Sequence, residues 1–130
     1  MIDDKSKKKI VLVTGVTRGL GRAMAEKLIG LGHTVLGCGR NRQLIEELRK
    51  CQLLLTNDTG TMHLATLLGV PVVAVFGSTE PSLTGPLGKG NRTIRHQVEC
   101  SPCFLRQCPL DFRCMKAVSA EEVAAAIHDL

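Results

Sequence analysis

Tyrosine and tryptophan are absent from this 130-residue chain, and phenylalanine occurs three times. Single-stranded nucleic acid is usually held by stacking its bases on aromatic rings, so that platform is missing and no nucleic-acid partner is expected. An apolar run of the about 18 residues that a membrane helix needs is also missing. Residues 1–9 have no signal-peptide apolar stretch behind them, which leaves a cytoplasmic protein without membrane insertion as the expectation. Neither sign of charge dominates: 17 Lys and Arg against 12 Asp and Glu give a net +5. Part of the excess sits in Lys5, Lys7, Lys8 and Lys9, a basic lead-in that reads as a solubilising tail or, alternatively, as a nucleic-acid contact. Hydrophobic residues at 44% and charged residues at 22% suit one folded core in a chain of this length. Cysteine is not scarce, and six of them in a cytosolic chain read as thiols or metal ligands before a disulfide framework.

What is present begins with alternating apolar runs and punctuation. IVLVT at 10–14 is a short continuous apolar run suited to a buried parallel strand. TGVTRGLG follows, then AMAEKLIGLG as a helix with Ala23, Leu28 and Leu31 near one face. HTVLGCG reads as a second strand, near 33–37, and NRQLIEELRK as a second helix with Asn41 as N-cap and Leu44, Ile45 and Leu48 at helical spacing. Gly15, Gly19 and Gly21 stand between a strand and a helix. There, the missing Cβ atoms let a pyrophosphate approach the positive helix end.

TGxxxGLG after VLVT resembles the short-chain dehydrogenase/reductase family over about residues 8–50. That resemblance implies NADP(H) at Gly15, Thr17, Arg18, Gly19, Leu20, Gly21 and Arg40. Arg18 and Arg40 are placed as the family's NADP-preferring members place cations for the ribose 2′-phosphate, and guanidinium charge favours a phosphate there. The family's catalytic Tyr is impossible in a chain without tyrosine. No catalytic residue is therefore expected.

From Gln52 onward the pattern continues as LLLT (strand near 53–56), TMHLATLLG (helix ended by Gly69), PVVAVFG (strand near 72–76), a turn-rich loop, RTIRH (strand near 92–96) and SAEEVAAAIHDL, a helix with a Ser119/Glu122 capping box. TNDTGTMHLA (56–65), VPVVAVFGSTEP (70–81), CSPCFLRQCPLDFRCM (100–115) and the SAEEV helix resemble the C-terminal lobe of the bacterial lipopolysaccharide heptosyltransferases, glycosyltransferase family 9. The resemblance implies that Asp58, Thr59, Gly60, Thr61, Met62 and His63, after Asn57, lie at the diphosphate-sugar side of an ADP-sugar donor. Read without the family, Asp58 or Thr59 caps a helix whose first N–H groups, on Gly60, Thr61 and Met62, face a phosphate, or the segment only caps and His63 is an ordinary helical residue. The family's acceptor-binding N-terminal lobe has no counterpart in this reading.

Cys100, Cys103, Cys108 and Cys114 open with CxxC spacing, leaving free thiols, a zinc site and disulfides as alternatives. Cys38 and Cys51 read as small buried apolar residues. Right-handed crossovers place the five strands as 2-1-3-4-5, an α/β Rossmann-like, doubly wound parallel sheet in a three-layer sandwich. One domain over 1–130 is expected, a 1–50 dehydrogenase-like half joined near Cys51 to a 51–130 heptosyltransferase-like half. A natural fusion, a recombinant and a misjoined gene would all read this way. Three functions follow: a hybrid nucleotide-binding domain with NADP(H) affinity, an ADP-sugar-binding lobe, or a ligand-free scaffold.

Overall fold

A computed structural model describes residues 8–16, 19–38 and 44–130, apart from the side chains of Cys38 and Leu44. Five parallel strands, β1 (Ile10–Thr14), β2 (Thr34–Cys38), β3 (Leu53–Asn57), β4 (Val72–Val75) and β5 (Arg92–Ile94), form one sheet. Their order is β2-β1-β3-β4-β5, as the crossover argument requires. Helices α1 (Gly19–Gly30), α2 (Leu44–Lys50), α3 (Gly60–Leu67), α4 (Pro81–Thr84), α5 (Arg113–Lys116) and α6 (Ala120–His128) connect and follow them.

Side chains alternate across a strand, so each central strand feeds both faces of the sheet. Val11 and Val13, Leu53 and Leu55, and Val73 and Val75 point to one face, where Met24 and Leu28 of α1 and Val123 and Ile127 of α6 cover them. Leu12, Leu54, Val72 and Ala74 point to the other, beneath Leu48 of α2 and Met62 and Ala65 of α3. This is why the strands read as unbroken apolar runs: neither face is left to water.

Several local expectations shift. The buried residues of α1 are Met24, Ala25 and Leu28, whereas Ala23 and Leu31 are exposed. The helix starts at Gly19, four residues before AMAEKLIGLG, so its inner stripe runs Leu20, Met24, Leu28 at i, i+4, i+8. In α2, Leu48 is buried but Ile45 is 46% exposed. Asn41 lies outside the described residues. β5 ends at Ile94, two residues earlier than RTIRH suggests, because Arg95 and His96 leave the ladder for Glu80 and Glu122. α4 and α5 fall in stretches that read as loops. In α4, Pro81 at the first turn is pre-set for helix and Glu80 accepts from the Ser82 N–H. Half of the expected capping box forms: Ser119 Oγ accepts from the Glu122 N–H at 3.1 Å, while the Glu122 carboxylate reaches His96 Nε2 at 2.8 Å instead.

Candidate nucleotide crevice and its neighbouring cleft

All five strands end at one edge, and because β1 pairs with β3 the loops that leave them lie side by side there. The direction of sheet growth reverses between these strands, which is where a parallel sheet opens a ligand crevice. A cleft of about 120 Å³ occupies that position, with Gly15, Leu20 and Gly21 on one wall and Thr56 and Asn57 on the other.

Backbone geometry explains the glycines of the first wall. Gly15 and Gly19 have φ of +72° and +60°, a region that costs most side chains roughly 1–2 kcal/mol. A Cβ on Gly21 would strike the Gly15 carbonyl, so the turn closes tightly only with hydrogen at that position. Leu20 packs against the first core. Thr17, Arg18 and Arg40, expected to meet a nucleotide, lie outside the described residues.

The second wall is a hydroxyl cluster. Thr56, 3% exposed, donates to the Asn57 carbonyl at 3.1 Å, and its oxygen lies 3.0 Å from Thr14 Oγ1 and 3.2 Å from Thr59 Oγ1. Each hydroxyl has one proton to give, so the three share donor and acceptor roles within the cluster. Thr59 occupies the N-cap position of α3 in extended geometry, and its side chain makes no cap hydrogen bond. The Met62 N–H folds back on the Thr59 carbonyl at 3.0 Å, and the Met62 side chain is fully buried in the second core. The N–H groups of Gly60 and Thr61, in the first helical turn, have no intrahelical carbonyl to bind. Asp58 turns its Oδ2 to Thr84 Oγ1 at 3.0 Å, and His63 sits half-buried on α3.

Beside this crevice, and sharing Asn57 with it, is a larger cleft of about 280 Å³. It brings Asp58 and Ser78 together with Cys100, Cys103, Cys108 and Cys114. Those four thiols are free, so no disulfide staples the loop. Among the described residues no three His, Cys, Asp or Glu side chains come close enough to hold a metal ion, so the expected zinc alternative has no ready-made ligand set. Cys51 is buried, and its thiol donates to the Glu47 carbonyl at 3.1 Å.

Sequence reading missed Thr14 and Thr56, although a threonine closing an apolar strand is a visible polar mark at the ligand edge. It also missed the support behind Asp58. Glu80 Oε2 accepts from Arg95 Nη1 at 2.7 Å, with the two side chains 27% and 14% exposed. Desolvation pushes the Glu80 carboxyl upward, but the Ser82 N–H and the Arg95 guanidinium outweigh it and hold the group below its ordinary range.

The family model for Glycosyltransferase family 9 (heptosyltransferase) matches residues 4–113. It thus runs through the junction near Cys51, where the sequence reading placed a change of parent. A lipooligosaccharide heptosyltransferase 2 from Campylobacter jejuni is 35% identical over 91 residues, covering 68% of this chain and 29% of the relative. The NADPH-dependent pterin aldehyde reductase of Arabidopsis thaliana is 45% identical over 56 residues, covering 38% of this chain and 23% of that protein. Among solved structures, the E. coli ADP-heptose lps heptosyltransferase II superposes with a TM-score of 0.72 at 19% identity, over 98% of this chain and 47% of that one. The chain therefore spans about half the length of that solved relative and less than a third of the Campylobacter protein. Among the described residues no helix is long and apolar enough to cross a membrane. With a family match over most of its length and a parallel sheet that superposes on a solved heptosyltransferase, the chain belongs to glycosyltransferase family 9 (heptosyltransferase).

Proposed function

We propose that this chain binds an ADP-sugar as the donor-side portion of a family-9 glycosyltransferase, with the diphosphate in the crevice between β1 and β3 and the sugar directed toward Asp58. The observation that carries the reading is the start of α3: Thr59 sits at the cap position with its hydroxyl beside Thr56 and no side-chain cap hydrogen bond, so the helix end keeps the Gly60 and Thr61 N–H groups for an external anion. An anion there also gains from the helix dipole, by roughly 0.3–1 kcal/mol. Asn57 borders both clefts, which gives a ligand too long for the smaller one a continuous path into the larger. The names of the relatives, heptosyltransferases in each organism but one of those compared above, support ADP-heptose as the donor.

A second reading, NADP(H) in the same crevice, is favoured by the likeness to the pterin aldehyde reductase and by the tight glycine turn at Gly15 and Gly21. The family match across residues 4–113 supports the ADP-sugar reading better. One experiment separates them. ADP and ADP-heptose at a large excess over Kd should raise the thermal midpoint of unfolding while NADPH leaves it unchanged. A shift with NADPH alone would reverse the order of the two readings.

A further inference from the structure

Asp58 meets a partner from outside its own loop: its Oδ2 lies 3.0 Å from the Thr84 hydroxyl, across 26 residues of chain. The same hydroxyl faces the Glu80 carbonyl at the longer distance of 3.3 Å, so the carboxylate is the nearer acceptor of its one proton. Thr84 ends α4, a helix of four residues that would have little stability alone. A set of hydrogen bonds holds it in place, and the Leu83 N–H joins them on the Glu80 carbonyl at 3.0 Å. The Thr84 N–H donates to the Glu80 carbonyl at 3.1 Å and the Gly85 N–H to the Pro81 carbonyl at 2.8 Å. The Glu80 carboxylate accepts from the Ser82 N–H at 3.4 Å and from Arg95 at 2.7 Å. Glu80 is the one anion that Arg95 meets among the described residues, while its Nε and Nη2 are buried without partners. A Cβ on Gly85 would collide with the Pro81 carbonyl, which leaves the turn after Thr84 no slack.

From this chain of contacts we infer that Thr84 is a positioning residue for the sugar of the bound nucleotide-sugar. The inference rests on the ADP-sugar reading above and deepens it. Fixing Oδ2 sets the plane of the Asp58 carboxylate and leaves Oδ1, which has no hydrogen-bond partner among the described residues, as the acceptor for a sugar hydroxyl in the adjoining cleft. A carboxylate held before the ligand arrives loses less rotamer freedom on binding than one that must be immobilised by it. The side-chain hydrogen bonds of Thr84 go to Asp58 and to the Glu80 carbonyl, and not to the N–H groups of Gly60 or Thr61. Its contribution is therefore assigned to the sugar end.

Calorimetric titration of the full chain with ADP and with ADP-heptose tests this, using the wild type, Thr84→Val and Thr84→Ser. The wild type should prefer ADP-heptose. Thr84→Val keeps the shape without the hydroxyl, and it should lower ADP-heptose affinity about tenfold, as expected for one hydrogen bond to a charged group, with ADP affinity changed less than about twofold. Thr84→Ser restores the hydroxyl and should recover the preference. Thr84→Ala serves in place of the valine variant if the latter does not melt cooperatively. An undiminished preference for ADP-heptose in Thr84→Val overturns the positioning role and leaves the ADP-sugar reading intact. An equal loss for both ligands also overturns it, because the hydroxyl would then be supporting the helix end. If the wild type binds neither ligand, the ADP-sugar reading fails and this inference with it.

Discussion

The rings of His33 and His128 stand with centroids 5.3 Å apart and planes inclined by 51°. His33 lies just before β2 and accepts the Lys9 N–H on Nδ1 at 3.2 Å, so its proton is on Nε2, which is buried without a partner. Burial first, then the His128 charge and then the Lys9 ammonium, all disfavour a positive His33 and hold its pKa below the ordinary 6.5. The unfolded chain therefore binds a proton more readily than the fold does. Stability from this site is complete above about pH 6.5 and is lost as pH falls from there through the lowered folded value. Thermal unfolding should show a falling midpoint over that window. His33→Gln keeps an acceptor for Lys9 and carries no charge, so it should flatten the dependence.

Among the described side chains of α2, Leu48 is the one that reaches the core, fully buried against the face that holds Leu12 and Leu54. Leu48→Ala should cost about 2–5 kcal/mol in urea unfolding. Ile45→Ala, on the exposed side of the same helix, should stay within roughly 0.5 kcal/mol. Equal costs for the two would mean that the helix packs in another register.

Two glycines of α1 should respond in opposite directions. Gly21→Ala sets a methyl against the Gly15 carbonyl, and it should lower the thermal midpoint and disturb ligand binding in the crevice. A Cβ at Gly30 meets open space, and Gly30→Ala should gain up to about 1 kcal/mol from helix propensity.

Thiol labelling should separate the cysteines by burial. Cys100, Cys103 and Cys108 are partly exposed, while Cys51 and Cys114 are buried. With iodoacetamide and peptide mass mapping, the first three should be modified in the folded protein and the last two only on unfolding. Zinc should not form a tight one-to-one complex with the reduced chain. Such a complex would require the loop to gather ligands that stand apart in this structure.

The strand order and the side-by-side placing of the two glycine-bearing loops were legible because each strand is a short apolar run and each of these loops carries glycine between a strand and a helix. Period-two alternation was invisible in β3 and β4, where both faces are covered, yet the unbroken runs LLLT and VVAV marked them equally well. What stayed hidden depends on pairs far apart in sequence. Nothing local to PSLT announces that Thr84 will hold Asp58, or that Arg95 will leave its strand for Glu80. The role of Met62 was also hidden. TMHLA gives no sign of which face is inward until β3 and β4 supply a core for it.

Near His33, the Lys9 ammonium donates to the Ile127 carbonyl at 2.9 Å, drawing residues 118 positions apart into direct contact. The stretch just before β1 is thereby tied to the last turn of α6 through one flexible side chain. The crevice lies at the carboxyl ends of the strands, whereas Lys9 precedes β1. A change at this tie therefore acts on the end of the sheet away from the crevice.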